Sequence, residues 1–485
     1  MTSVSDCWYF RYSIHSFREA IQIETEIAIG SSHQRVLLVQ SYWAPPGQDS
    51  VSKPVYPLGL VYLATAISGK HTVRFIDLCA SEYPWDDLSD AVKEFRPDIA
   101  GISIRNADAF GYSDIVSNDH SSISFCLNNL TETLNVISEA GFTGRVVLGG
   151  QAFSMFPERI MAHSNLIDFG VFLEGENTFS ELLDNLDRPE SVKGLYFRRN
   201  GETVFTGRRE HADLAGIGPP DRSLMPADAY VQSPEGIGIQ SKRGCILSCS
   251  YCIYPYLSGS RLRLREPSAV AEEMEELTGR KIDCVHFVDP VFNIPRNHAE
   301  DICREIIDRG IKMKWIAWFH PRFLDKEFVR LCEEAGCVKF ELSPDAYGQK
   351  GLDALKKQMT TEDIRKSLRL ARDLSTSTIT YNFLINHPGE TVFSFFRKLV
   401  FCTRVKLVLN RKAKIELLNH IRILPGTEVH EQALRDGIID HDTDMLPVCY
   451  ANMKPLFYKR SKIVNVFYKI LVCILKIKNT LARNP

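Results

Sequence analysis

The sequence predicts an α/β protein in which two βα series follow one another along the chain. The prediction rests on short apolar runs of strand length, on helical segments that alternate with them, and on glycine-containing turns at the ends of several runs. Continuous apolar runs are typical of strands covered on both faces, and their alternation with helices favours parallel sheets. The first series predicts a doubly wound, Rossmann- or flavodoxin-like sheet, which binds ligands at the carboxyl ends of its strands.

The composition is that of a globular protein with more than one domain. The chain has 485 residues, of which 44% are apolar and 24% charged, and its formal net charge is -2. This length exceeds one compact core, and the charge balance gives no reason to expect nucleic acid as a partner. Thirteen scattered cysteines do not resemble a secreted disulfide framework. Charged residues interrupt any apolar signal-peptide core near the N-terminus, so we expect a cytoplasmic protein.

Five strands and three helices are predicted in the first series. The strands are 35–40, 73–77, 99–104, 146–148 and 169–173, and the helices are 58–68, 88–95 and 123–139. A hairpin is predicted next, at 195–205, because Asn200-Gly201 favours a tight turn between two apolar runs. Pro219-Pro220 and the residues up to Gly236 are typical of a linker.

The second series contains six predicted strands that are separated by helices. The strands are 237–241, 284–288, 314–318, 338–342, 378–385 and 416–423. The expected division of the chain is an N-terminal extension at 1–34, the first sheet at 35–190, the hairpin and linker at 191–235, the second series at 236–440 and a helical tail at 441–485.

Three cysteines stand together directly after the first strand of the second series, in Cys245-Ile-Leu-Ser-Cys249-Ser-Tyr-Cys252. Four thiolates would close a zinc or iron–sulfur site, whereas three leave one metal corner open for a small chelating molecule. A structural zinc needs a fourth ligand at short spacing, and the next cysteine is only Cys284. A zinc knuckle or three incidental thiols is the alternative.

The C-x3-C-x2-C spacing, with Tyr251 just before the last cysteine, resembles that of the radical S-adenosylmethionine (SAM) superfamily. The resemblance implies a [4Fe-4S] cluster on Cys245, Cys249 and Cys252, with SAM on the fourth iron. The six βα units of the second series match the open (β/α)6 partial TIM barrel of these enzymes. Their active residues are expected at the carboxyl ends of the barrel strands.

Three short motifs at strand ends of the first series carry a second resemblance. They are Pro57-Leu-Gly59, Gly149-Gly150-Gln151 and Glu174-Gly175-Glu176. In this order they are similar to the cobalamin (B12)-binding domain that precedes the radical SAM domain in one branch of the superfamily. The resemblance implies that these residues bind cobalamin, since glycines let the backbone approach a bulky flat ligand. A flavodoxin-like domain that has lost its ligand is the alternative.

One part of the wider cobalamin pattern is absent. The D-x-H-x-x-G motif would place a histidine below cobalt, but here Asp119 and His120 are adjacent. Arg105, in Ser103-Ile-Arg-Asn106, is expected to point toward that face with Asn106 beside it. This placement resembles the tryptophan 2-methyltransferase-like branch. An arginine at the surface or on a phosphate is the alternative.

Polar residues near the cysteine motif and at barrel strand ends are the predicted SAM contacts. They are Tyr251, Asp289, Glu341, Ser343, Asp345 and Asn386. The resemblance assigns Asp289 to the SAM amino group, which suits a carboxylate, and Glu341 and Asp345 to its ribose or carboxylate. Each can instead be a helix cap or a turn residue. His320 and His387 are candidate general bases, and no catalytic residue is assigned.

Together the resemblances imply a cobalamin-dependent radical SAM methyltransferase that acts on a carbon of a small, natural-product-like molecule. SAM cleaved at the cluster would give an adenosyl radical, methylcobalamin would deliver the methyl group, and an electron donor such as flavodoxin or ferredoxin would be needed. In the tryptophan 2-methyltransferase mode, cobalamin methylates without that radical. A cobalamin-binding cyclase or rearrangement enzyme, a methylthiotransferase and a non-catalytic cobalamin-binding protein are the alternatives.

The C-terminal stretch at 463–478 is apolar with interspersed lysines. It is too short and too charged to span a bilayer, which takes about 20 apolar residues. It is predicted either to dock on the barrel as a helix or to make a weak peripheral membrane contact.

Overall fold

The computed structural model describes residues 33–42, 54–109, 123–233, 235–417 and 420–483. All but two residues of the predicted extension, and the Asp119-His120 pair, lie outside these ranges.

The first half of the chain forms a mainly parallel sheet of seven strands. Its elements in chain order are β1 (Arg35–Gln40), α1 (Leu58–Ile67), β2 (Thr72–Asp77), α2 (Pro84–Phe95), β3 (Ile99–Ser103), β4 (Asp108–Ala109), β5 (Ser124–Phe125), α3 (Cys126–Glu139), β6 (Arg145–Gly149), α4 (Gln151–Met155), α5 (Pro157–Met161), β7 (Phe169–Val171), α6 (Gly175–Asp184), β8 (Leu195–Arg199) and β9 (Glu202–Phe205). The strand order is β2-β1-β3-β6-β7-β8-β9, and β4 pairs only with β5.

Alternation along β1 shows why this sheet is covered on both faces. Val36 and Leu38 belong to one buried core, whereas Leu37 and Val39 belong to a second core on the other face. Because successive strand residues point to opposite faces, a run of apolar residues builds both cores at once. The predicted doubly wound sheet is confirmed.

The predicted hairpin joins this sheet instead of standing apart from it. Asn200 and Gly201 both have positive φ, of 54° and 86°, as a two-residue hairpin turn requires. The strand before the turn, β8, pairs antiparallel with β7. The hairpin therefore extends the first sheet by two strands.

The second half forms six parallel strands in the order β10-β13-β14-β15-β16-β17. The elements are α7 (Leu214–Ile217), β10 (Gly238–Ile239), β11 (Lys242–Arg243), α8 (Tyr254–Ser258), β12 (Arg263–Leu264), α9 (Pro267–Gly279), β13 (Cys284–Phe287), α10 (Arg296–Asp308), β14 (Lys314–Phe319), α11 (Lys326–Glu334), β15 (Cys337–Asp345), α12 (Gln349–Ala354), α13 (Thr361–Ala371), β16 (Thr378–Phe383), α14 (Val392–Leu409), β17 (Ala413–Leu417), α15 (Glu428–Arg435), α16 (Tyr450–Met453) and α17 (Lys462–Arg483). The predicted partial barrel with one strand per βα unit is confirmed.

The sixth barrel strand was predicted wrongly at 416–423. It occupies Ala413–Leu417 and pairs with β16. The backbone at 421–423 instead bonds the C-terminal segment, because Ile423 N donates to Leu456 O at 2.8 Å and Tyr458 N donates to Ile421 O at 2.9 Å. Ile421 and Ile423 alternate with Arg422 as in a strand, and this pattern does not say which segment is the partner.

The C-terminal helix α17 docks on α14. Val464, Tyr468 and Val472 are buried there with Ile385 and Phe395. The Asn386 amide holds the start of α17, since its Nδ2 donates to Ser461 O and its Oδ1 accepts from Ser461 N, both at 2.9 Å. No helix in the described ranges is long and apolar enough to cross a membrane.

We expect Asn386→Gly to loosen α17. Asn386 has a φ of 54°, which glycine adopts without strain, so the change removes only the amide. The loss of both bonds from a buried amide costs about 1–3 kcal/mol. Amide hydrogen exchange in α17 should accelerate, whereas Asn297→Ala, at an exposed position of α10, should leave it unchanged. Equal exchange in the two variants would show that the amide does not hold the helix.

Candidate functional site

A cavity of about 480 Å³ opens where the carboxyl ends of the first sheet meet the edge of the second. Its first wall consists of the ends of β1, β3, β6 and β7 with the start of α1. Its second wall consists of residues near β10 and β11 and of α8, the helix that follows the cysteine motif. Small-molecule sites commonly measure about 300–1,000 Å³.

The residues predicted to bind cobalamin all line this one cavity. They are Pro57, Gly59, Arg105, Asn106, Gly149, Gly150, Gln151, Glu174, Gly175 and Glu176. They come from four separate segments, which the parallel sheet brings to one edge because its strands all end there.

Two glycines show how the backbone shapes the cavity. A Cβ on Gly59 would meet no atom within 4 Å, so this part of the wall has open space before it. Gly150 has a φ of 95°, and a Cβ there would lie 2.5 Å from Ile104 O. The β6 end therefore requires glycine at this position.

Arg105 is the cation on the first wall of the cavity. Burial lowers the pKa of its guanidinium, and the neighbouring Cys79 and Asp77 raise it. Burial also raises the pKa of Asp77, to about 6, although this carboxylate accepts a hydrogen bond from Tyr230 Oη at 2.8 Å. The lining residues in the described part of the chain include no histidine.

The carboxylates of Glu174 and Glu176 bind arginines of the second half. Glu174 accepts from the two Nη atoms of Arg263 at 2.8 and 2.5 Å, and Glu176 Oε1 accepts from Arg243 at 2.6 Å. Burial alone would raise the pKa of Glu174, but Arg263 and Arg243 outweigh it and lower the pKa. These two predicted cobalamin residues therefore join the halves of the protein.

The cysteine motif forms a loop between β11 and α8. Cys245 N donates to Gly259 O and Cys252 N donates to Cys249 O, both at 3.0 Å. Tyr254 N donates to the sulfur of Cys252 at 3.4 Å. The three thiols are free and half-buried, and burial raises the pKa of each, to about 11 for Cys252.

This donor set fits an iron–sulfur cluster with one open iron. Three thiols lie in one short loop, and a backbone N–H aimed at sulfur stabilises a thiolate ligand. Within the described ranges, no three Cys, His, Asp or Glu side chains converge closely enough to hold a single metal ion.

Asp289, predicted to bind the SAM amino group, holds the strand that leads into the cysteine loop. Its carboxylate accepts from Ser241 N at 2.9 Å, from Ser241 Oγ at 2.5 Å and from Lys242 N at 3.2 Å. The side chain of Lys242 lies 3.8 Å away and is fully buried with it. In this geometry Asp289 positions the loop, and its contact with SAM remains a prediction.

Asp345 and Tyr251 share a buried lysine that the sequence did not reveal. Asp345 Oδ2 accepts from Tyr251 Oη at 2.5 Å and from Lys357 Nζ at 2.6 Å. Burial opposes the charge of Lys357, but Asp345 and Tyr251 raise its pKa well above the usual value. The charged pair lies close enough to Cys249 to influence its pKa. No local spacing in the sequence marks Lys357 as part of the site.

The remaining predicted SAM residues fall into two places. Glu341 and Ser343 lie two residues apart on β15, where Glu341 contacts Lys339 and accepts from Asn382 Nδ2 at 3.4 Å. Asn386 does not join them, because Ser461 occupies both ends of its amide.

The two candidate bases are buried with backbone partners. His320 Nε2 lies 3.0 Å from Lys357 O, and burial lowers the pKa of the imidazole to about 4. His387 Nδ1 lies 2.8 Å from Pro388 O, and burial also lowers its pKa. Neither residue lines the cavity.

We expect protonation of His320 to lower the free energy of unfolding in mild acid. Its folded pKa of about 4 lies below the ordinary 6.5, so its stabilisation is present above pH 6.5 and is lost as pH falls toward 4. Between pH 7.5 and 5 this loss is about 2 kcal/mol. Urea unfolding at both pH values should show a smaller loss for His320→Gln than for the unchanged chain. An unchanged pH dependence would contradict the assignment.

Comparison with known proteins finds a matching family model for each half of the chain. The B12-binding domain model matches residues 48–183, and the radical SAM superfamily model matches residues 239–395. The chain is 27% identical to an uncharacterised methyltransferase of Pyrococcus horikoshii, over 84% of each chain. It is 26% identical to an anaerobic magnesium-protoporphyrin IX monomethyl ester cyclase of Cereibacter sphaeroides, over 69% of this chain and 54% of that protein.

A solved structure shares the two-domain fold. It is the radical SAM methyltransferase TsrM from Kitasatospora setae with cobalamin and a [4Fe-4S] cluster bound, at a TM-score of 0.69 and 23% identity, over 84% of this chain and 76% of that chain. The B12-binding match covers the first wall of the cavity except the end of β1, and the radical SAM match covers the cysteine loop. The chain is therefore a radical SAM enzyme with an N-terminal B12-binding domain.

Proposed function

We propose that the chain is a cobalamin-dependent methyltransferase that adds a methyl group to a carbon of a small molecule. One observation carries the proposal: a single cavity extends from the predicted cobalamin residues to α8, which begins two residues after Cys252. Groups that hand a methyl group to one substrate must lie side by side, and this cavity provides that arrangement.

The bound groups supply the reactive chemistry, since an iron–sulfur cluster provides an electron to SAM and cobalamin carries a methyl group. Cys245, Cys249 and Cys252 hold the cluster in this proposal. Arg105 and Asn106 approach the cavity from the first sheet, and Tyr254 approaches from α8, after the cysteine loop. These residues bind and orient the groups and exclude water between them.

The cysteine loop also gives a route for electrons. Ile246, at the tip of the loop, is 54% exposed, and Ser248 is exposed as well. A small reduced protein such as flavodoxin or ferredoxin can reach the loop from this side, and we propose one as the electron donor. Eleven cysteines whose side chains the structure describes are free thiols, which supports our placing the reaction in a reducing cytoplasm.

A cyclase is the second candidate, because one relative at 26% identity is named as an anaerobic cyclase. Both candidates use the same cavity and loop, so geometry does not separate them. The product separates them: a methyltransferase transfers label from methyl-labelled SAM to its product, whereas a cyclase does not.

We expect Gly59→Leu to block cobalamin without unfolding the chain. The new side chain points into open space on the cavity wall, so it occupies the volume of a ligand. Gly69→Leu is the matched control, because a Cβ there also meets no atom within 4 Å and Gly69 lies outside the cavity. Titration with hydroxocobalamin should show binding to the unchanged chain and to the control alone. Equal binding by all three chains would show that cobalamin binds outside this cavity.

We expect Cys249→Ala to separate the two cofactors. Reconstitution without oxygen, with iron, sulfide and hydroxocobalamin, should give the unchanged chain both iron and cobalamin. The variant should lose iron and methyl transfer but keep cobalamin, because Cys249 does not line the cavity. Zinc in place of iron, or a variant with full methyl transfer, would overturn the proposal.

A further inference from the structure

Two neighbouring helices, α14 and α17, present an exposed apolar surface on the flank of the barrel. Its residues are Phe393, Phe396, Val400 and Leu407 of α14 and Ile463, Val466, Phe467, Ile470 and Ile474 of α17. We call this surface the α14–α17 ridge. Leu407 is 81% exposed and Phe393 is 72% exposed, so these side chains contact water over most of their area.

The ridge is one continuous surface. On each helix its residues recur at spacings of three, four or seven, which places them in one stripe. The Phe396 and Phe467 rings contact each other edge to face with centroids 5.0 Å apart, and this contact joins the two stripes. A different stripe of α17, with Val464, Tyr468 and Val472, is buried against the barrel. Docking on the barrel therefore leaves the exposed stripe without a partner in the described part of the chain.

The segments that carry the ridge are purely basic. Residues 392–412 contain six lysines and arginines, residues 454–485 contain eight, and neither segment contains an aspartate or a glutamate. The whole chain has a net charge of -2, so the positive charge is concentrated here. Arg397, Arg404, Lys462 and Lys469 are exposed on the same two helices.

This combination of charge and apolar area selects one kind of partner. A second copy of the chain would bring two basic surfaces together and cause repulsion. An anionic bilayer takes up apolar side chains at the level of its headgroups and attracts lysine and arginine beside them. We propose that the α14–α17 ridge binds an anionic lipid surface, with both helices lying along the membrane plane.

The proposal is independent of the chemistry of the cavity, and vesicle binding tests it. The full chain is sedimented with vesicles of phosphatidylglycerol and phosphatidylcholine, or of phosphatidylcholine alone, at low and high salt. Binding to the anionic vesicles should be at least tenfold tighter than to the neutral ones. High salt should weaken it, because salt screens the lysines and arginines.

The ridge is tested with the double variant Val400→Glu/Ile470→Glu. Both positions are exposed, so the fold should survive, which thermal unfolding checks. Binding to anionic vesicles should fall at least tenfold. Leu166→Glu, at an exposed apolar position of the first domain, is the matched control and should bind like the unchanged chain.

Two results would overturn the proposal. One is equal vesicle binding by the double variant and the unchanged chain. The other is an unchanged chain that does not bind vesicles but forms a dimer, together with a double variant that stays monomeric. The ridge would then bind a second copy of the chain.

Discussion

Both ends of the cysteine loop are fixed by arginines that bind carboxylates of the B12-binding domain. Arg243 lies on β11, just before the loop, and Arg263 lies on β12, which follows the loop and α8. Their partners are Glu176, in the first turn of α6, and Glu174, directly before that helix. A buried charge that loses its partner costs about 3–5 kcal/mol, so the loop and the sheet edge are held in one geometry. The cavity exists because these two pairs keep the loop above the carboxyl ends of the first sheet.

Two further buried ion pairs support the loop from the barrel side. Lys242 lies beside Asp289, and Lys357 binds Asp345. Each carboxylate is neutralised by a lysine, which allows both to be buried without an uncompensated charge. Consequently, the carboxylates that sequence resemblance assigns to SAM already have protein partners. Ser343, which is half-buried on β15, is less enclosed than these carboxylates.

Sequence patterns predicted the structural features that depend on local sequence or on the order of the strands. Gly149 and Glu174 stand far apart in the chain, yet their meeting at one edge follows from the parallel arrangement of the strands that precede them. Lys357 and Ser461 could not be predicted, because each acts through a side chain or backbone group remote in sequence. The sixth barrel strand failed for a related reason: Ile421 and Ile423 alternate with Arg422 as in a strand, and the partner of this segment is the C-terminal segment.

The exposed face of α14 shows a limit of sequence periodicity as a predictor of burial. Apolar residues occupy several sides of this helix: Phe395, Phe401 and Val405 are buried, whereas Val400 and Leu407 face water. Periodicity identifies stripes but does not say which stripe has a partner. On a chain with mixed charge, such a surface would favour self-association. Here the two segments that carry the ridge contain only positive charges, and these charges both oppose association between copies and favour an anionic surface.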